Sequence, residues 1–227
     1  MSDSKIIFYN AVVCPYAQRA AIALRESAAQ YETINIDLAN KPEWYKDINP
    51  DTKVPALGVE GQNIAESLVI IEYINDRFPE ANLLPKEAIR RANVRFVIEF
   101  FTTKINGVFF KYLFGSQDEA AFEEFDKEIN ASLVRLDQLL TQQSATGPYF
   151  LGNEFSLADI AIAPFFLRIL GFSKVYLKDY QFKAIKTHPR LEEFINGITT
   201  RPSVTETYIG DEEYVKRFSE RHNLTKK

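Results

Sequence analysis

Lys5-Ile6-Ile7-Phe8-Tyr9, followed shortly by Cys14-Pro15-Tyr16-Ala17-Gln18-Arg19, is the stretch on which the fold turns. The apolar run reads as a buried strand, and the alanine-rich segment from Pro15 to about Ala29 as a helix. Proline is favoured at the first helical position, so Pro15 makes Cys14 the N-cap, its sulfur facing unpaired backbone N–H groups at the positive end of the helix dipole. Such a position is expected to lower the thiol pKa. Moving a thiol from about 8.5 to about 6.5 takes roughly 2.7 kcal/mol of preference for the anion. A helix terminus supplies about 0.3–1 kcal/mol. Hydrogen bonds from the Tyr16 or Ala17 N–H to the sulfur have to supply the rest. A free cysteine is more often an inert buried hydrophobe; here the succession of strand, Cys-Pro and helix favours a reactive one.

Outward from this unit, Tyr31 to Asp37 alternates as a strand, with Ile34 and Ile36 on one face. A helical turn and an antiparallel hairpin follow, the hairpin formed by Ala56–Val59 and Gln62–Ala65 around Glu60-Gly61. Ser67 is expected to cap a helix whose apolar face carries Leu68, Ile71 and Ile74. A βαβ unit followed by a hairpin and a helix is a mixed-sheet α/β domain, placed at residues 1–78. Prolines bound a linker at residues 79–88, after which the period changes. Phe122, Phe125, Ile129, Leu133, Leu136 and Leu140 recur at steps of three and four, as do Ile89, Phe96, Phe100 and Ile105, so residues 89–227 read as an all-α domain. Within it, Ser156-Leu157-Ala158-Asp159 is a capping box, with Phe155 placed to staple onto Ile160. That box opens a helix so apolar that it reads as core, although it carries Asp159 and Arg168.

Composition sets the class. The 227 residues are 46% hydrophobic and carry a net charge of −4 with both signs dispersed, which suits a globular protein and argues against a nucleic-acid partner. No apolar run meets the requirement of a membrane span. One cysteine cannot form an internal disulfide, and the N-terminus lacks a secretory pattern, so a reducing, cytoplasmic setting is expected. His188 and His222 lie far apart and no metal-ligand spacing is present, so no metal is expected.

The Cys14 motif resembles the redox turn of thioredoxin-like proteins, except that Ala17 stands where those dithiol motifs place a second cysteine. With no resolving thiol in the chain, a mixed disulfide on Cys14 has to be released by an external thiol, of which glutathione is the abundant cytosolic one. Other residues fit that ligand. A cis Val54-Pro55 bond would present the Val54 backbone to an extended peptide. Ser67 and the free N–H groups of its helix would take a carboxylate, Glu66 an ammonium, and Lys41 the opposite carboxylate. Taken singly, each of these residues has an ordinary structural use as a cap, a turn or a solvated charge.

With Asn40-Lys41-Pro42-Glu43-Trp44, Asn49-Pro50, Lys53-Val54-Pro55, Glu66-Ser67 and the capping box added, the chain resembles the cytosolic glutathione transferases over nearly its full length. It looks most like the omega class, with kinship to the lambda class and to dehydroascorbate reductases. The resemblance implies a thioredoxin-like N-terminal domain on an all-helical C-terminal one, with Cys14 as nucleophile and Lys41, Val54, Glu66 and Ser67 holding glutathione. It implies a glutathione-dependent thiol transferase or reductase acting on a small electrophilic, oxidised or glutathionylated substrate, and a homodimer. Conjugation of glutathione to electrophiles, or non-enzymatic carriage of hydrophobic ligands, are the other readings. Tyr16 stands where phenylalanine is usual, on the rim of the site. Phe109, Phe110, Phe165 and Phe166 are candidates to line the second pocket, though aromatic residues at helical spacing are more often core.

Overall fold

The computed structural model describes residues 5–178 and 180–224. The strand β1 (Ile6–Asn10) leads through Cys14 into helix α1 (Pro15–Glu26), and β2 (Tyr31–Asn35) returns parallel to β1 with Ile6 opposite Tyr31. The helix stops three residues short of Ala29 because Ala28 is left-handed, at φ 51°, which turns the chain into β2. After α2 (Tyr45–Ile48), β3 (Ala56–Val59) pairs antiparallel with β1, and β4 (Gln62–Ala65) completes the hairpin, giving the order β2-β1-β3-β4. Glu60 and Gly61 lie at φ 53° and 76°, the pair of left-handed residues that a tight hairpin turn demands. Helix α3 (Ser67–Arg77) packs on α1 and buries Ile70, Ile71 and Ile74, while Leu68 is exposed. Its core face is therefore rotated from the one expected.

A 3-10 turn (Pro79–Ala81) precedes the helical domain. Helix α4 (Ala88–Phe100) is capped by the Glu87 carboxylate, which accepts from the Ile89 and Arg90 N–H groups, and runs through a π-helical turn (Phe101–Asn106) into α5 (Gly107–Phe114). The face of α4 that meets the core carries Val94, Val97 and Ile98, whereas Ile89 and Phe96 are 68% and 54% exposed. Their apolar period marks a second face, directed at solvent. Helix α6 (Glu119–Gln143) buries Phe125, Ile129, Leu133, Leu136 and Leu140, as its period predicts. Each such leucine or isoleucine is worth roughly 1.5–3 kcal/mol of burial.

Helix α7 (Leu157–Tyr176) is the axis of the molecule, packed against α1 and α4 and, after the short α8 (Lys183–Thr187), against three later helices: α9 (Pro189–Thr200), α10 (Pro202–Thr205) and α11 (Asp211–His222). The capping box forms, the Asp159 carboxylate accepting from the Ser156 N–H at 2.7 Å and the Ser156 hydroxyl at 2.8 Å, and also from the Phe150 N–H at 2.8 Å. No helix among the described residues is long and apolar enough to cross a membrane.

Candidate active site

Cys14 is the N-cap of α1, with extended backbone (φ −86°, ψ 119°) and Pro15 in the first turn. Its N–H donates to the Ala11 carbonyl at 2.8 Å, and its own carbonyl accepts from Gln18 N–H at 3.0 Å, so the turn is closed on both sides. The Ala17 and Tyr16 backbone N–H groups reach the sulfur and favour its anion, as do the Arg168 and Arg19 guanidiniums at longer range. Burial outweighs all four, and the Cys14 thiol is pushed above its ordinary value. This overturns the expectation drawn from the N-cap alone. Sequence places the helix dipole, but not the layer of protein over it, and desolvation is the larger effect here.

The thiol lies 3.8 Å from the Val54 carbonyl oxygen. The Val54–Pro55 bond is cis, and the loop before it is held by Tyr45 and Asn49, whose side chains both donate to the Lys53 carbonyl, at 2.9 and 2.8 Å. Glu66, at φ 68° and ψ 118°, is a strained non-glycine residue and is itself the N-cap of α3. Ser67 is therefore the first helical residue rather than the cap. It is buried, and its hydroxyl accepts from Arg19 at 3.2 Å. Lys41 stands exposed ahead of α2, with no hydrogen bond or ion pair to the other four among the described residues.

Two buried arginines cross between the domains in opposite directions, and neither was assigned a role from the sequence. Arg19, on α1, donates to the Ala161 carbonyl of α7 at 2.9 Å as well as to Ser67, and lies 4.6 Å from the Phe165 ring centroid. Burial lowers its pKa to about 10. Arg168, on α7, donates to the Gln18 side-chain oxygen at 2.6 Å, the Pro164 carbonyl at 2.7 Å and the Val13 carbonyl at 3.3 Å. It is sandwiched by aromatic rings, 4.4 Å from the Tyr214 centroid and 5.1 Å from that of Tyr208. Gln18 in turn donates to the Val204 carbonyl at 3.1 Å. For Arg168 the available signal was its place in the middle of a mostly apolar helix, because a buried cation has to find acceptors somewhere.

Of the aromatic candidates, Phe109 and Phe166 belong to the core. Phe165 is buried too, but it touches the site, 5.1 Å from the half-exposed Tyr16 ring. Phe110 is partly buried and packs on Phe114, Phe172 and Phe218.

The family model for the glutathione S-transferase N-terminal domain matches residues 8–82, and that for the glutathione S-transferase C-terminal domain matches residues 96–207. The chain is 32% identical to glutathione S-transferase omega-1 of Sus scrofa over 208 residues, covering 91% of this chain and 82% of that one. It is 35% identical to a probable maleylacetoacetate isomerase of Caenorhabditis elegans over 170 residues, covering 72% and 78% of the two chains. The crystal structure of glutathione transferase Omega 1C from Trametes versicolor superposes with a TM-score of 0.81 at 32% identity, over 97% of each chain.

Proposed function

Because the chain belongs to the glutathione S-transferase family and is omega-like in character, we propose that it is a glutathione-dependent thiol transferase working through a Cys14–glutathione mixed disulfide. The observation that carries this reading is the sole cysteine at the N-terminus of α1, with two backbone N–H groups directed at its sulfur. In this reading Cys14 gives up its proton and attacks the glutathionyl sulfur of a substrate disulfide. A new S–S bond forms between Cys14 and glutathione, and the electron pair of the old one leaves on the substrate sulfur, which takes up a proton. A second glutathione thiolate then attacks the glutathionyl sulfur, yielding oxidised glutathione and the free Cys14 thiolate. Reduction of a dehydroascorbate-like substrate draws its two electrons from the same pair of glutathiones.

Glutathione would lie extended along the Val54 backbone, with one carboxylate at Ser67 and the start of α3, its ammonium at Glu66 and its other carboxylate at Lys41. Strained backbone at Glu66 supports this role, since such conformations concentrate at ligand clamps. A cytosolic compartment would keep the single thiol reduced. Incubation with oxidised glutathione is expected to add one glutathionyl group to the intact protein, removed by excess reduced glutathione. A protein that takes up no adduct would overturn the thiol-transfer reading in favour of conjugation or ligand carriage.

The solvent face of α3 and α4 supports a homodimer. Leu68 and Val69 of α3 and Ile89 and Phe96 of α4 are exposed, and a hollow of about 90 Å³ between the two helices is lined by Leu68 and by the Arg95–Glu72 pair at 2.6 Å. A two-fold contact would bury the patch against its own copy. Phe96→Asp is expected to sediment at the 26.1 kDa chain mass, while the unaltered protein sediments at twice that. A wild type that sediments as single chains would sink the dimer.

A further inference from the structure

Arg168 is fully buried, and it forms no ion pair among the described residues. Its Nε–H also has no hydrogen-bond partner. An uncompensated buried guanidinium is unfavourable, and a fold tolerates one where a negative charge arises beside it. The three groups facing it are Tyr214 and Tyr208, from the C-terminal segment, and Cys14. Both phenols stay neutral at physiological pH: burial pushes Tyr214 up to about 12, and Tyr208 is also raised. Of the three, the sulfur is the group that can ionise. Arg168 also grips the turn that carries this sulfur, through the Val13 carbonyl and through Gln18 of α1.

We infer that Arg168 is a positioning residue for the thiol chemistry. From the helical domain it reaches the Val13–Cys14 turn and supplies the buried positive charge against which the Cys14 thiolate forms and leaves. The inference rests on Cys14 being the nucleophile proposed above. Other titratable groups facing the sulfur are Arg19 of α1, Tyr45 of α2 and Tyr214 of α11. Arg19 is already committed to Ser67 and Ala161, so it does not duplicate the contact with Val13.

The test is the pH dependence of Cys14 alkylation by iodoacetamide, followed by intact mass, which needs no glutathione. In the wild type the midpoint should lie above that of an ordinary thiol. In Arg168→Met, which removes the charge and keeps much of the volume, it should rise by a further unit or so, making the thiolate roughly tenfold scarcer at neutral pH. Arg168→Lys should return it close to the wild-type value. In disulfide exchange, Arg168→Met should lower kcat and leave KM for glutathione nearly unchanged. An unchanged midpoint in Arg168→Met overturns the inference, and so does an equal rise in Met and Lys variants, which would mean a disturbed turn rather than a lost charge. If Arg168→Met does not fold, the Lys variant decides: a wild-type midpoint supports the role and a raised one overturns it. A wild type that exchanges no glutathione while the midpoints shift as expected would defeat the proposed function and leave the electrostatic role standing.

Discussion

Cys14→Ala is expected to bring glutathione-mixed-disulfide reduction down to the uncatalysed background, a loss of about 10³-fold or more. The chain holds no other cysteine, so no neighbouring thiol can take over the exchange. Alanine is small and Cys14 is only partly buried, so folding should barely change, and a circular dichroism melt close to the wild type would confirm this. Binding of glutathione through Val54, Glu66, Ser67 and Lys41 would remain, separating affinity from chemistry. A variant that reduces the mixed disulfide at the wild-type rate would remove Cys14 from the mechanism. A variant that loses this activity yet conjugates glutathione to an electrophile more readily would show that the fold supports both chemistries and that the side chain at position 14 chooses between them.

The largest effect on stability is expected from Asp159→Ala. The carboxylate is fully buried and accepts from two backbone N–H groups and one hydroxyl, tying the start of α7 to the loop at Phe150. Removing it strands those donors in the interior, at a cost of about 3 kcal/mol. For a chain of this length that lowers Tm by roughly 6–12 °C. Burial raises the Asp159 pKa from 3.8 to about 6, which fixes the sign of the pH dependence. A carboxyl whose pKa is higher in the folded state than in the unfolded one contributes most when both forms are protonated, and that contribution falls away as pH rises through 6. The loss of stability on substitution should therefore be greater at pH 5 than at pH 8. Equal losses at the two values would contradict the assignment, as would a Tm within 2 °C or so of wild type at pH 5.

What could be read from the residues alone depended on how far away the deciding partner lay. The hairpin at Glu60-Gly61, the capping box at Ser156 and Asp159, and the core face of α6 all depend on neighbours within a few residues, and all three form as expected. The position of Cys14 at the helix start was legible for the same reason. Its acidity was not, because the sulfur is desolvated by the packed fold, and Arg168, which opposes that effect, lies more than 150 residues away. Spacing makes Ser67 a cap, whereas the chain enters α3 through left-handed backbone at Glu66 and the Ser67 hydroxyl accepts from Arg19 of another helix. On α4, spacing showed that Ile89 and Phe96 share a face with Phe100 but said nothing of what that face meets.

The reciprocal reach of Arg19 into α7 and of Arg168 into the turn before α1 bears on how such a chain can change over generations. Each domain holds a buried cation that donates to a backbone carbonyl of the other. Exchanging either half for a distant counterpart lacking the matching arginine would leave unpaired the carbonyl which that arginine served, at Val13 or at Ala161. The two halves are therefore expected to vary together, and substitution at Gln18, whose side-chain oxygen accepts from Arg168, is constrained by a partner 150 residues further along the chain.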